Sequence, residues 1–160
     1  MPSGFTTRSA RETRNAGAAL APLLRAGDVI ALSGDLGAGK TQLVQGIARG
    51  LGVESAVTSP TFNLLMVHRG GLPLYHFDLY RLEHVEELDD IGFYETLESD
   101  GVSVIEWGDR FSHALPAAHL LVVIHRRTDD VRDFELVPHG ERAGQLASAW
   151  VDAVETQGHR

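Results

Sequence analysis

Hydrophobic positions follow two patterns along the first third of the chain. Residues 9–25 have apolar positions at helical spacing, and Ser9 is the predicted N-cap of that helix. Residues 28–34, "DVIALSG", form a short apolar run that predicts a buried strand. Residues 40–52, "KTQLVQGIARGLG", return to helical spacing and end in glycines, which is typical of a helix C-terminus. The order helix, strand, helix follows from these three segments.

The rest of the chain contains more strand signals than helix signals. Residues 61–80 contain two strand-like runs on either side of Gly70 and Gly71, and this pattern predicts a β-hairpin. The further expected elements are one or two short helices on an exposed face (81–100), a buried strand (101–107), a second hairpin (119–126 with 132–140) and a helix (140–156). Helices and strands alternate first and hairpins follow, which favours an α/β fold with a mixed parallel and antiparallel central sheet flanked by helices.

Composition and charge narrow the class of protein. The 160 residues fit one domain, residues 1–160, and the absence of cysteine excludes disulfides, thiolate metal sites and cysteine nucleophiles. A net charge of −8 argues against tight, direct binding to DNA or RNA. The first ten residues contain no apolar run and no stretch approaches the ~20 apolar residues of a membrane span. We therefore expect a cytoplasmic protein without membrane contact.

A glycine-rich segment between the first strand and the second helix fits the phosphate-binding pattern G-x-x-x-x-G-K-[ST]. Glycines let main-chain amides turn inward, and those amides with the following helix N-terminus form a positive concavity for polyphosphate. In such a loop the lysine reaches the β- and γ-phosphates and the final hydroxyl ligates magnesium. The segment predicts a single-domain P-loop NTPase and consists of Gly34, Asp35, Leu36, Gly37, Ala38, Gly39, Lys40 and Thr41.

Two residues of this loop have further consequences. Lys40 is the only lysine among 14 basic residues, and an ammonium on a flexible stem is chemically distinct from the guanidinium fork used elsewhere. With no second lysine, the chain cannot contain the N-K-x-D loop of guanine-specific proteins, which favours ATP. Asp35 would be repelled by a triphosphate, so we expect its side chain to point outward and Asp35→Ala to leave nucleotide affinity nearly intact.

A second acid is needed to position magnesium, and two residues qualify. Glu106 ends the apolar run "VSVI", as the second acidic residue of a P-loop ATPase does. Asp78 in "LYHFDLY" also ends an apolar run and competes for the role. The residues alone leave this choice open.

The stretches "GDLGAGKT", "TSPTF", "YHFDLYRL" and "IEWGDR", in this order and spacing, resemble the TsaE family, also called YjeE. The resemblance covers a core of about residues 9–138, and a less distinctive C-terminal helix follows at about 140–156. It implies a protein that binds ATP and Mg²⁺, hydrolyses ATP slowly and is needed for the threonylcarbamoyl modification of adenosine 37 in tRNAs that read codons starting with A. It also implies two protein partners, TsaD and TsaB, and contact with tRNA only through that complex.

The resemblance assigns roles to individual residues. It selects Glu106, with Thr41, as the magnesium ligands, and it makes Asp78 an acid important for hydrolysis. Thr61 matches a switch-like threonine near the γ-phosphate. The further positions expected to lie near the nucleotide are Trp107, Thr13 and Arg132.

Some alternatives remain open at the level of sequence. The chain could be a small-molecule kinase, although the short acidic segment "EHVEELDD" suits a partner surface better than an anionic acceptor pocket. It could also be an adaptor that needs ATP binding but not turnover. His76 and Asp78 would share one face of a strand, and we interpret His76 as structural.

Overall fold

The computed structural model describes residues 3–34, 39–54, 65–79, 82–106 and 113–158. These residues form one seven-stranded sheet with helices on both faces. The strands are β1 (Ser3–Thr7), β2 (Val29–Ser33), β3 (Leu65–His68), β4 (Leu74–Asp78), β5 (Val102–Glu106), β6 (His119–Arg126) and β7 (Arg132–His139). The helices are α1 (Ala10–Leu20), α2 (Lys40–Gly50), α3 (Glu87–Asp90), α4 (Phe93–Leu97) and α5 (Glu141–Gly158).

The strands lie in the order β1-β7-β6-β2-β5-β4-β3. β2 is parallel to both β5 and β6, and β4 is parallel to β5. The pairs β3–β4, β6–β7 and β1–β7 are antiparallel. This confirms the predicted mixed sheet and both predicted hairpins.

Alternation along the central strand explains the two cores. Ile30 and Leu32 face α1, α2 and α5, and are fully buried in the larger hydrophobic cluster. Val29 faces the opposite side, where it packs with Phe77 and Ile105 under α3 and α4. Because both faces are covered, β2 reads as a continuous apolar run rather than an alternating one.

The start of α1 agrees with the prediction, but the α-helix ends at Leu20, before the predicted end at residue 25. The Ser9 hydroxyl accepts a hydrogen bond from the Glu12 amide at 3.0 Å, which confirms the predicted N-cap. After Leu20 the chain tightens into a 3-10 turn that contains Pro22. A proline in that first turn needs no amide donor, so the helix ends without a lost hydrogen bond.

Two elements differ from the sequence expectation. β1 has no apolar run and was not predicted, and it is a strand because it pairs with β7 and because Phe5 stacks on Phe134 at 4.8 Å. The segment expected as short helices on an exposed face does form α3 and α4, but it is not exposed throughout. Leu88, Phe93 and Leu97 are buried against the sheet. Acidic residues dominate the composition of this segment. The sequence therefore suggested an exposed surface, although a few apolar residues anchor the segment to the sheet.

None of the helices in the described ranges is both long and apolar enough to cross a membrane.

Candidate functional site

The predicted site residues converge at one edge of the sheet. Because β2, β4 and β5 are parallel, their C-terminal residues Ser33, Asp78 and Glu106 meet at the same edge. Asp78 is the direct register partner of Glu106, and Leu32 pairs with Glu106 from the other side. Two residues that are distant in the sequence and both acidic therefore lie beside the point where β2 leads into the glycine-rich segment.

The glycine-rich segment joins β2 to α2, as the phosphate-binding pattern requires. Gly34 follows β2, and Gly39 is the N-cap of α2 with φ +106°, a backbone conformation that only glycine adopts without strain. Thr41, half-buried, lies in the first turn of the helix. The first amides of α2 have no partners within the helix, so its N-terminus offers the donors and the dipole that attract anions.

Lys40 lies over the entrance of the loop. Its side chain is largely buried, and its Nζ donates a hydrogen bond to the Gly34 carbonyl at 2.8 Å. A phosphate oxygen carries charge that a carbonyl lacks, so a charge-assisted bond to phosphate would be stronger than this one. The ammonium is thus held at the loop by a weaker acceptor that a phosphate can replace.

Glu106 is buried, with 4% of its surface exposed, and its carboxylate has a specific partner. Glu106 Oε2 lies 2.5 Å from Nε2 of His76, whose side chain is fully buried on β4. With Glu106 ionised, the carboxylate only accepts, so His76 Nε2 carries the hydrogen and donates it. The sequence interpretation of His76 as a structural residue did not include this contact.

A second buried histidine lies next to His76. The rings of His68 and His76 are 6.4 Å apart between centroids, and His68 is 4% exposed. Burial, and then the nearby His76, lower the pKa of His68. His68 Nε2 and His76 Nδ1 are buried and have no hydrogen-bond partner in the described part of the chain. Desolvation therefore favours the neutral form of His68.

Asp78 differs from Glu106 in its surroundings. Its side chain is half-buried at the sheet edge rather than enclosed. The chain continues in register past it, because the Leu79 amide donates to the Glu106 carbonyl at 3.0 Å. Asp78 is consequently fixed next to Glu106 but faces a more accessible space.

Arg132 reaches the loop from the other half of the sheet. It begins β7, and a β-carbon placed on Gly39 would lie 3.7 Å from Arg132 Nε. Its Nη1 donates to the main-chain oxygens of Thr128 and Asp129 at 2.8 and 3.0 Å. The guanidinium is therefore oriented by its own hairpin loop and lies against the N-cap of α2.

Thr13, the predicted contact from the first helix, is buried with its hydroxyl engaged. Its Oγ1 lies 2.7 Å from Thr7 Oγ1 and donates to the Ser9 carbonyl at 3.3 Å. Thr7 is the register partner of Arg132, so this pair lies near the same edge of the sheet. The structure thus gives Thr13 internal partners, and its contact with a nucleotide stays a prediction.

The structure brings together Gly34, Gly39, Lys40, Thr41, Asp78, Glu106 and Arg132. The remaining predicted positions lie outside the described residues, and they are Asp35, Leu36, Gly37, Ala38, Thr61 and Trp107. His76 is the residue whose contact with the site was not predicted from the sequence. The available signal was its two-residue spacing from Asp78, which puts both on one face of β4.

A strand that leads through a glycine-rich loop into a helix, with an acid at the end of the adjacent parallel strand, defines a P-loop α/β protein. The sequence model of the family described as "Threonylcarbamoyl adenosine biosynthesis protein TsaE" matches residues 7–134. The chain therefore belongs to the TsaE family, whose role is in the biosynthesis of threonylcarbamoyladenosine in tRNA.

Individual relatives agree with this assignment. The chain is 44% identical over 127 residues to the tRNA threonylcarbamoyladenosine biosynthesis protein TsaE of Treponema pallidum, covering 79% of this chain and 94% of that one. It is 40% identical over 143 residues to the protein of the same name from Bacillus subtilis, covering 89% of each chain. The crystal structure of YdiB from Bacillus subtilis superposes with a TM-score of 0.76 and 30% identity, covering 100% of this chain and 97% of that one.

Proposed function

We propose that the protein is a Mg²⁺-dependent ATPase that hydrolyses ATP slowly in the cytoplasm and acts with TsaD and TsaB in the threonylcarbamoyl modification of tRNA. The observation that carries the proposal is the convergence of Lys40, Asp78 and Glu106 at one sheet edge beside the N-terminus of α2. Each of these groups has a defined task in phosphoryl transfer to water.

Phosphate binding is the task of Lys40 and the start of α2. The ammonium lies 2.8 Å from the Gly34 oxygen, within the loop that would enclose the β- and γ-phosphates. The amides in the first turn of α2 add fixed positive partial charge at the same place. Arg132, next to Gly39, adds a second cation close to the loop.

Thr41 and Glu106 suit a magnesium ion. A hydroxyl and a carboxylate are hard oxygen donors, and Mg²⁺ takes one or two such protein ligands together with nucleotide phosphates and water. Thr41 lies in the first turn of α2 and Glu106 ends β5, so both are positioned by regular secondary structure. When bound, the ion would neutralise charge that develops on the phosphates.

Asp78 is the candidate for orienting the attacking water. It lies beside Glu106 in register and is less buried than Glu106, so it is the acid nearer to solvent water at the edge. Glu106, held by His76, is the less accessible of the two acids. This difference supports separate roles, with Glu106 in the metal shell and Asp78 at the water.

Charge supports indirect contact with tRNA. The chain has a net charge of −8, so an RNA would bind it weakly unless a protein partner supplied the basic surface. The segment around α3 is acidic and its apolar residues are buried, so it presents carboxylates outward. Such a face suits a basic protein surface.

The test is ATP turnover by the purified chain alone and with the TsaD–TsaB pair. We expect slow turnover alone, faster turnover with the pair, and none for Lys40→Ala, since docking can order a mobile catalytic loop. Equal rates with and without the pair would contradict the proposed partnership. No heat on titration with Mg-ATP would contradict nucleotide binding itself.

Two alternatives have distinct outcomes. Stoichiometric phosphorylation of a metabolite in a substrate screen would favour a small-molecule kinase. If Glu106→Ala and Asp78→Ala bind ATP, lose hydrolysis and still support tRNA modification, the protein is a nucleotide-gated adaptor rather than an ATPase in function.

A further inference from the structure

His76 is a fully buried imidazole in a position that an apolar side chain would fill. It lies on β4 between Met66 of β3 and Val104 of β5, and it faces the larger hydrophobic cluster. Burying a polar ring costs free energy unless its hydrogen bonds compensate. Packing alone therefore gives no reason for histidine here.

The hydrogen bonds of His76 point to a single partner. Nε2 donates to Glu106 Oε2 at 2.5 Å, while Nδ1 is buried without a partner in the described part of the chain. A hydrogen bond to a carboxylate is among the stronger hydrogen bonds in proteins, and a dry environment strengthens it further. Among the described residues, the hydrogen bond with Glu106 is the polar interaction that offsets the burial of this ring.

We propose that His76 is a positioning residue, whose Nε2–H fixes the Glu106 carboxylate in the orientation that the magnesium shell requires. The inference rests on the proposed function, because it takes Glu106 as a magnesium ligand. A carboxylate at the end of a strand has two free side-chain torsions before its terminal rotation, and a bond to one oxygen restricts all of them. Oε2 already takes part in the bond with His76, whereas Oε1 would have both of its lone pairs available to a metal ion or to a water molecule bound to it.

The size of the effect follows from comparable arrangements. Groups that hydrogen-bond to a metal ligand and orient it change metal affinity by ~10–100-fold when they are removed. They leave metal-free binding of the other ligand almost unchanged, because they touch only the metal ligand. His76 should therefore affect the metal-dependent part of nucleotide binding and not the part supplied by Lys40 and the loop.

The chain offers a matched control. His68 is also a buried histidine, on the neighbouring strand β3, and its ring is 6.4 Å from that of His76. No hydrogen bond joins His68 to Glu106 in the described structure. Replacing His68 removes a buried imidazole from the same face of the sheet without removing the donor to Glu106.

The experiment measures metal and nucleotide binding separately in four proteins: the wild type, His76→Leu, His76→Gln and His68→Leu. The non-hydrolysable ATP analogue AMP-PNP is titrated calorimetrically in EDTA. Mn²⁺, as a probe for Mg²⁺, is titrated into the AMP-PNP complex and followed by electron paramagnetic resonance. Glutamine carries its amide nitrogen near the position of Nε2, so His76→Gln keeps a donor for Glu106, whereas leucine does not.

We expect AMP-PNP affinity in EDTA to stay within ~3-fold of wild type in all variants. Mn²⁺ affinity should fall by ~10–100-fold in His76→Leu and recover most of that loss in His76→Gln. His68→Leu should keep wild-type Mn²⁺ affinity. Where His76→Leu does not fold, His76→Asn replaces it, because its shorter amide does not reach Glu106, and the same loss is expected.

Other outcomes overturn the inference. Wild-type Mn²⁺ affinity in the donor-free variant, an equal loss in His76→Gln, or an equal loss in His68→Leu would each show that His76 does not act through its hydrogen bond. A wild-type protein that binds AMP-PNP with no contribution from Mn²⁺ would instead overturn the magnesium site of the proposed function, and this inference with it.

Discussion

Gly46 of α2 lies against Arg14 of α1 so closely that a β-carbon on Gly46 would be 2.0 Å from the Arg14 carbonyl oxygen. The contact is reciprocal, because a β-carbon on Gly17 would be 2.4 Å from the Leu43 oxygen. The two helices therefore touch through their backbones. Since α2 begins at Lys40, this contact also fixes the helix whose N-terminus is the proposed phosphate site.

We expect Gly46→Ala to destabilise the protein by about 1–3 kcal/mol, because the obstructing atom belongs to the backbone and the helices must separate. Urea denaturation measures the free energy of unfolding. The matched control is Gly144→Ala in α5, where an added β-carbon meets nothing within 4 Å. That change should stabilise the protein by about 0.5–1 kcal/mol, because alanine is the better helix former. Equal effects of the two substitutions would contradict the backbone contact.

Trp150 anchors α5 to α1. Its Nε1 donates a hydrogen bond to the Ala16 carbonyl at 2.8 Å, and its ring is fully buried beside Phe5. Trp150→Phe should lower the free energy of unfolding by about 2–3 kcal/mol, through the lost volume and the lost hydrogen bond to Ala16. Tyr94→Phe is the control, because Tyr94 is 40% exposed, and it should change stability by less than about 0.5 kcal/mol. A similar small change in Trp150→Phe would argue against the anchor.

Arg142 and Asp28 form a partly buried ion pair between α5 and the start of β2. Arg142 donates from Nε and Nη2 to the two carboxylate oxygens at 3.1 and 2.8 Å, and from Nη2 to the Leu23 carbonyl at 2.8 Å. The hydrogen bonds that Arg142 donates to Asp28 raise the pKa of Arg142. Arg142→Met leaves the Asp28 carboxylate, 9% exposed, without its cation and should cost about 2–4 kcal/mol.

The comparison for this pair is Arg126 with Asp129, a solvent-exposed ion pair at 2.6 Å. Arg126→Met should change the free energy of unfolding by no more than about 1 kcal/mol, because surface pairs are screened by water and salt. Thermal unfolding of both variants at low and high salt checks the expectation. A larger loss at the exposed pair than at the buried one would refute this ranking.

His119 should make stability depend on pH. Burial lowers its pKa, its bond to the Pro116 oxygen opposes that shift, and the nearby His139 adds to it. A histidine whose pKa is lower in the folded protein takes up its proton first in the unfolded chain. The contribution of neutral His119 to the free energy of unfolding is therefore fully present above its pKa in the unfolded chain, about 6.5. That contribution is lost as the pH falls from there to the lower pKa of His119 in the folded protein.

The check is the melting temperature of wild type and His119→Asn at pH 7.5 and pH 5.5. Asparagine keeps a donor near the position of Nδ1 but does not titrate, so the variant should lose less stability on acidification. His84→Asn, at an exposed position, is the control and should follow the wild type. If His119→Asn shows the same drop in melting temperature between pH 7.5 and pH 5.5 as the wild type, other groups cause the pH dependence.

Most regular elements could be predicted because their signals are local. β2 and β5 are apolar runs, the α1 cap is a serine, and the glycine-rich segment identifies its own strand and helix. β1 could not be predicted, because "SGFTT" becomes a strand only through its pairing with β7. The order of the strands also could not be read from the sequence, since it depends on contacts between distant segments.

The same division applies to the site. Lys40 and Thr41 belong to one contiguous motif, so their proximity was predictable, and the resemblance to a family separated Glu106 from Asp78. The bond between His76 and Glu106 was not predictable, because it joins residues 30 positions apart and depends on the register of β4 against β5. Register is set by packing across the whole sheet rather than by either segment.

The N-terminal ends of the parallel strands form an edge of the sheet opposite the one that carries the glycine-rich segment. Ala26 lies exposed just before β2, and the five residues of that strand, at about 3.3 Å each, put roughly 16 Å between it and the loop that follows Ser33. Because the chain contains no cysteine, Ala26→Cys would create a unique thiol. A dye or surface tether attached there would report on the protein, or immobilise it, while leaving the edge with the proposed nucleotide site facing solvent.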